Sequence, residues 1–298
     1  MPTNEQRRAT AKRKLERQLE RRAQQARRRR LMTIIGGAVA AVAVIAAVVA
    51  TVMITKKDSS STTASASTSS ALPESSANAE PTAAPPANGQ LPSFTPSANL
   101  GGNCEYPASG EASKKVNAPR SGKVPTEPAQ VSVSMATNMG NIGLQLDNAK
   151  SPCTVNSFAS LAQQGYFNDT VCHRLTTSPS LSVLQCGDPT GTGSGGPGYE
   201  FANEYPTDQY PTGDPNAQQP VLYPRGTVAM ANAGPGTNGS QFFLVYKDSQ
   251  LPPQYTVFGT IDGTGLATLD RIANTGTADG GQDGKPKDEV KVTSIGLD

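Results

Sequence analysis

The chain offers few side chains that could act as a base or a nucleophile. His173 is the only histidine, and it lies between Cys172 and Arg174. A thiol nucleophile with its base is one interpretation, but successive side chains on a strand point to opposite faces of the sheet. Cys172 and His173 therefore cannot face each other on a strand, which argues against a hydrolase. With a single histidine, a histidine-rich metal site is excluded too, and we expect neither a metal nor a cofactor.

A glycine-rich run, GTGSGGPGY, covers residues 191–199. Such runs bind phosphates when a Gly-Lys-Ser/Thr signature follows and a helix begins directly behind them. This run lacks that signature, and Pro197 would interrupt the helix whose N-terminus must hold the phosphate. We therefore interpret the run as a turn-rich loop.

Three segments together carry a family resemblance. The first is the Cys-His-Arg tripeptide (172–174) with the later LQCGD (184–188), the second is the glycine-rich run, and the third is MANAGPGTNGSQFF (230–243). In this order they resemble the cyclophilin-type peptidyl-prolyl isomerases, and the third segment is close to diagnostic. The resemblance covers about residues 130–298.

The resemblance also implies which residues form the site. Arg174 takes the place of the family's catalytic arginine, and Gln185 takes that of the glutamine that orients it. The implied substrate-binding residues are His173, Val183, Ala231, Asn232, Gln241, Phe243, Leu251 and Tyr255. Where the family has a pocket phenylalanine, this chain has Leu181 or Ser182, depending on the alignment, and Gln250 stands where some members have tryptophan.

The chemistry that the resemblance implies needs neither a nucleophile nor a metal. Rotation about an Xaa-Pro amide has a barrier of about 18–20 kcal/mol and takes tens of seconds or more without a catalyst. In the twisted transition state the prolyl nitrogen loses resonance and can accept a hydrogen bond, which the Arg174 guanidinium could donate. A bond made only in the transition state accelerates the reaction.

Proline-containing segments of unfolded or exported proteins are the partners that this chemistry implies. A catalytically weak proline-binding scaffold or chaperone module is the alternative, because the pocket positions depart from the family pattern.

Alternating apolar residues predict the strands that must hold this site. Residues 130–147 indicate a β-hairpin, and the helix that follows is expected to begin with Ser151 as N-cap and Pro152 in its first turn. Further strands are predicted over 171–175, 181–186, 226–231, 241–246, 256–261 and 289–296, and a second helix over 265–274. This pattern predicts a mainly β fold, a closed eight-stranded antiparallel β-barrel capped by two helices.

The N-terminal part of the chain indicates a membrane anchor. Residues 1–30 contain twelve Lys and Arg against three Glu, and residues 31–55 carry no charge. The 24 residues from Leu31 to Ile54 would form about 36 Å of helix, enough to span a hydrocarbon core of about 30 Å. The positive-inside rule then predicts a cytoplasmic N-terminus and an extracytoplasmic catalytic domain at the cell membrane.

Other interpretations of this N-terminal part are less consistent with its length and position. A cleavable signal peptide would have an apolar region of only about 7–15 residues. The arginine runs could neutralise nucleic-acid phosphates, but their position beside the membrane favours anionic headgroups. We therefore expect no nucleic-acid partner.

Composition then sets the domain boundaries. Residues 56–129 are dominated by Ser, Thr, Ala, Pro and Asn, which predicts a flexible linker. The expected parts are a basic cytoplasmic segment (1–30), a transmembrane helix (31–55), the linker (56–129) and a cyclophilin-like domain (130–298). We expect the protein to be a monomer.

The four cysteines lie beyond the predicted membrane helix, where export would permit disulfides. If Arg174 pairs with Gln185 across a hairpin, continuing that register places the side chains of Cys172 and Cys186 on opposite faces. We therefore expect no disulfide between Cys172 and Cys186. The pairing of the other two cysteines stays open.

Overall fold

The computed structural model describes residues 89–298. The predicted cytoplasmic segment (1–30), the predicted membrane helix (31–55) and the first part of the predicted linker lie outside the described residues. Within 89–298, neither α-helix is long and apolar enough to cross a bilayer.

Strands make up most of the regular structure in residues 89–298. They are β1 (Gln130–Thr137), β2 (Gly140–Asp147), β3 (Thr170–Val171), β4 (Arg174–Thr176), β5 (Val183–Cys186), β6 (Val221–Tyr223), β7 (Thr227–Met230), β8 (Phe242–Val245), β9 (Ser249–Leu251), β10 (Val257–Ile261), β11 (Asp283–Gly284) and β12 (Lys291–Leu297). Ten of them form one antiparallel sheet in the order β11-β4-β5-β8-β7-β10-β2-β1-β12-β3, and β6 pairs with β9. The mainly β, antiparallel architecture is thus as predicted.

The main sheet curls around the core as a half-barrel. The order of its strand pairs has two ends, β11 and β3, where the sequence analysis expected a closed barrel. The expected number of eight strands was also too low, because β6, β9 and β11 are too short to show an alternating pattern and the strand predicted over 171–175 is divided into β3 and β4.

The predicted hairpin of β1 and β2 forms the most regular part of the sheet. Val133 pairs with Leu144 and Met135 with Ile142, and all four side chains are buried. Successive residues of a strand point to opposite faces. Alternation of apolar and polar residues therefore gives this hairpin one face in the core.

Two α-helices pack against the sheet, α1 (Pro152–Gln163) and α2 (Gly263–Thr275). α1 begins at the predicted proline, but Ser151 is not its side-chain cap: the hydroxyl donates instead to the Val257 carbonyl oxygen at 2.8 Å. α2 is capped by Asp262, whose carboxylate accepts from the Gly265 N–H at 2.6 Å. Both predicted helices are therefore present.

Residues 89–129 belong to the fold, so the prediction of a flexible linker up to residue 129 was wrong for this segment. Cys104, Tyr106 and Val124 are buried in the main core. Cys104 forms a disulfide with Cys153 of α1, with the two Cα atoms 5.3 Å apart. The three apolar residues are too widely spaced for a periodic pattern, which is why composition alone indicated a linker.

The expected absence of a bond between Cys172 and Cys186 was also wrong, because a disulfide joins them with the Cα atoms 4.0 Å apart. The register itself is confirmed, since Arg174 pairs with Gln185. The ladder, however, begins at Arg174, and the Cys172 N–H donates to the Val290 carbonyl oxygen instead of to β5. Beyond the ladder the alternation of faces no longer holds, so Cys172 can turn toward Cys186.

Candidate active site

Arg174 and Gln185 face each other across β4 and β5. The Arg174 Nη1 donates to Gln185 Oε1 at 3.2 Å, and Gln185 Nε2 donates to Gln241 Oε1 at 3.0 Å. Gln241 Nε2 in turn donates to the carbonyl oxygens of Gly193 and Gly195, at 3.0 and 2.9 Å. This relay of amides orients Gln185 with its oxygen toward the guanidinium, as the family resemblance implied.

Asp283 is a second partner of Arg174, and sequence reasoning missed it. Its two carboxylate oxygens accept from Arg174 Nε and Nη2, each at 2.7 Å. The hydrogen bonds to Asp283 raise the pKa of the Arg174 guanidinium, and the same bonds lower the pKa of the carboxyl. Asp283 stands in a glycine-rich stretch without periodicity, so only its backbone pairing with β4 reveals it.

A cavity of about 210 Å³ lies beside the guanidinium. The residues that line it are Arg174, Leu181, Val183, Gln185, Ala231, Asn232, Phe243, Leu251 and Tyr255. The rings of Phe243 and Tyr255 meet edge to face, with their centroids 5.7 Å apart. The structure therefore brings eight of the ten predicted site residues to one small cavity, which both apolar and polar side chains line.

The two candidates for the position of the family's pocket phenylalanine have different surroundings. Leu181 lines it, whereas Ser182 is buried and donates to the Ser178 carbonyl oxygen at 3.0 Å. Gln250 is exposed on β9 and is not among the lining residues.

Two predicted site residues lie outside this cavity. Gln241 lines a larger cavity of about 440 Å³, which shares Gln185, Ala231 and Asn232 with the first. His173 lines neither cavity and lies next to Gly193 of the glycine-rich loop. Burial lowers the pKa of the imidazole, and neither ring nitrogen has a hydrogen-bond partner among the described residues.

The glycine-rich run is the turn-rich loop that the sequence predicted, and Asp188 organises it. The buried Asp188 carboxylate accepts from the backbone N–H groups of Thr190, Thr192, Gly193 and Gly195. Burial alone would raise the pKa of Asp188, but these donors outweigh it and the pKa is lowered. Within residues 89–298, no three His, Cys, Asp or Glu side chains are grouped to hold a metal ion.

The model of the family described as cyclophilin-type peptidyl-prolyl cis-trans isomerase/CLD matches residues 132–297. The chain belongs to the cyclophilin-type peptidyl-prolyl cis-trans isomerases.

Relatives with the same activity in their names match the chain over its whole length. It is 72% identical over 299 residues to a probable peptidyl-prolyl cis-trans isomerase B of Mycobacterium tuberculosis, covering 100% of this chain and 95% of that protein. A Mycobacterium leprae protein of the same name is 67% identical and is covered, like this chain, over 100% of its length. A crystal structure of a cyclophilin-type isomerase from Cryptosporidium parvum matches with a TM-score of 0.46 and 31% identity, over 57% of this chain and 98% of that one.

In this cyclophilin the guanidinium, which lines the cavity, keeps donors that its side-chain partners do not use. A guanidinium has five N–H groups. Asp283 takes one on Nε and one on Nη2, and Gln185 takes one on Nη1. One N–H on each terminal nitrogen of Arg174 thus stays available to a peptide.

Proposed function

We propose that this cyclophilin isomerises Xaa-Pro bonds of exported proteins, outside the cytoplasmic membrane to which residues 31–55 anchor it, and that it acts as a monomer. The basic segment before residue 31 supports this orientation. The use of all four cysteines in two disulfides supports an oxidising compartment, since disulfides are rare in the cytosol.

One observation carries the catalytic part of the proposal: the guanidinium of Arg174 stands at the wall of a small cavity that the apolar side chains of Val183, Phe243 and Leu251 also line. A proline ring bound between Phe243 and Leu251 would place its amide beside Arg174. In the twisted state the prolyl nitrogen becomes pyramidal and accepts a hydrogen bond from a terminal N–H of the arginine. The planar ground state cannot accept that bond, so the interaction favours the transition state.

The size of the effect is within reach of such a site. A rate gain of about 10⁵ requires roughly 7 kcal/mol. A charge-assisted hydrogen bond contributes about 1.5–3 kcal/mol, and preorganised donors, of which the site has more than one, contribute about 3 kcal/mol each. The apolar wall helps further, because the planar amide is more polar than the twisted one.

A protease-coupled assay of the full chain with proline peptides tests the catalytic part. We expect isomerisation well above the thermal rate. Peptide binding without acceleration would favour the proline-binding scaffold, a candidate that the replacement of the family's pocket phenylalanine by Leu181 or Ser182 supports.

The location is tested separately in spheroplasts and in their membrane fraction. A protease added outside spheroplasts should digest the catalytic domain, and alkaline extraction should leave the protein in the membrane fraction. Protection of the domain in intact spheroplasts would contradict the proposed orientation.

A further inference from the structure

Two arginines of this cyclophilin each make a two-pronged ion pair with an aspartate. In the active site, both oxygens of Asp283 accept from Arg174 at 2.7 Å. Outside the two cavities, the oxygens of Asp270 accept from Nη1 and Nη2 of Arg225, at 2.8 and 2.9 Å. The side chains are similarly exposed, 39% and 56% in the first pair and 37% and 43% in the second.

Such pairs add little stability when they are exposed. Double-mutant cycles on exposed ion pairs show only a small contribution to the free energy of unfolding. A two-pronged carboxylate contact does, however, fix the plane of the guanidinium, which a single hydrogen bond does not. Any special importance of Asp283 must therefore come from geometry at the site instead of from the energy of folding.

The hydrogen-bond partners of Arg174 hold different parts of its guanidinium. Asp283 holds the edge formed by Nε and Nη2, and Gln185 holds Nη1. Gln185 is itself held by Gln241, whereas Asp283 sits on β11, which pairs with β4. Without Asp283, the guanidinium would keep one hydrogen bond, and its plane could turn about that bond.

We propose that Asp283 is a positioning residue, which fixes the plane of the Arg174 guanidinium so that its two remaining terminal N–H groups face the bound prolyl amide. The proposal rests on the proposed function, because it requires turnover by Arg174. Asp283 lines neither cavity, so it acts through the arginine.

The test compares Asp283→Asn with Asp270→Asn in the full chain, measuring kcat, KM and Tm. We expect Asp283→Asn to lower kcat about five- to twenty-fold, because small misplacements of a catalytic group reduce rates by up to about 10². KM should change by less than about two-fold, since Asp283 does not line the pocket. Asp270→Asn should leave kcat unchanged while shifting Tm by a similar small amount.

Two further variants separate positioning from a general loss of structure. Asp283→Glu keeps the charge and both oxygens, so it should recover part of kcat. In an Arg174→Lys background, Asp283→Asn should have no further effect, because an ammonium cannot make the two-pronged contact.

The outcomes distinguish this inference from the proposed function. Failure of the wild-type protein to accelerate any proline peptide would contradict the function itself. Normal wild-type turnover with an Asp283→Asn kcat equal to that of Asp270→Asn would overturn only the role of Asp283. A higher kcat in Asp283→Asn would also overturn it, because the aspartate would then be competing with substrate for the arginine.

Discussion

The carboxylate of Glu204 caps α1 at Thr154, although 50 residues separate the two in the chain. It accepts from the backbone N–H and the hydroxyl of Thr154, at 2.7 and 2.6 Å, and from the N–H of Cys153 at 2.9 Å. The first N–H groups of a helix have no partner within it. A half-buried glutamate thus satisfies donors that the Ser151 side chain leaves open.

We predict that this cap makes stability depend on pH. Burial raises the pKa of Glu204 from 4.5 to about 7, although its three donors lower it. A carboxyl whose pKa is higher in the folded state contributes stability below about pH 4.5, and that contribution is lost as the pH rises through 7. The loss is on the order of 3 kcal/mol, at 1.36 kcal/mol per pKa unit.

Urea unfolding of wild type and Glu204→Gln between pH 5 and 8 checks this prediction. Glutamine keeps an acceptor oxygen and does not titrate. The free energy of unfolding of Glu204→Gln should therefore increase relative to that of the wild type as the pH rises. A constant difference across this range would show that Glu204 is already ionised at pH 5.

Replacement of Arg174 tests the catalytic assignment. Arg174→Ala should lower kcat/KM by about ten- to a thousand-fold, equivalent to about 1.4–4 kcal/mol of lost transition-state stabilisation. Arg174→Lys should recover little of this, because an ammonium lacks the planar fork of donors. Arg225→Ala is the matched control, since Arg225 makes a similar ion pair away from the cavity, and it should retain kcat/KM.

The pH profile of the wild type provides a second check on the same assignment. It should be nearly flat from about pH 6 to 9, because arginine stays charged there and His173, the only histidine, lines neither cavity. A bell-shaped profile centred near neutrality would instead indicate an acid–base group in the mechanism.

Those parts of the site that lie on regular strands or in a distinctive motif could be predicted from the sequence. Arg174 and Gln185 pair as predicted, and Phe243 lies opposite Gln185 on the next strand. Strand alternation and the fourteen-residue motif carried this information. Asp283 and Glu204 could not be found in this way, because each acts through a contact made only in the folded chain.

The dependence on contacts made only in the folded chain also explains why the prediction of a linker was wrong for residues 89–129. Tyr106 lies in a polar, proline-rich segment with no period, so its burial depends on aromatic partners far along the chain. Its ring meets those of Tyr199 and Phe201 edge to face, at 5.7 and 5.5 Å between centroids. The local composition of residues 89–129 does not predict such a contact.

Removal of the two disulfides should destabilise the fold to different degrees. The bond between Cys172 and Cys186 closes a loop of 14 residues, and the bond between Cys104 and Cys153 closes one of 49. The chain-entropy relation predicts losses of about 3 and about 4 kcal/mol for the corresponding double serine variants. Urea unfolding measures both.

The pairing itself is checked by mass spectrometry of peptides from the unreduced protein. Cys172 should be linked to Cys186, and Cys104 to Cys153. Free thiols, or any peptide linking Cys104 to Cys186, would contradict the disulfides described here.

The last prediction concerns residues 89–129, which lie outside the match to the family model and yet complete the core. Tyr106 is 7% exposed, and its hydroxyl donates to the Cys153 carbonyl oxygen at 2.7 Å. Tyr106→Ala should reduce the free energy of unfolding by about 3–5 kcal/mol, as for other large aromatic residues in a core. Tyr106→Phe keeps the ring contacts and loses only hydrogen bonds of the hydroxyl, so it should lose about 0.5–1.5 kcal/mol. If both variants unfold at the wild-type urea midpoint, the segment is a linker after all and does not pack on the domain in solution.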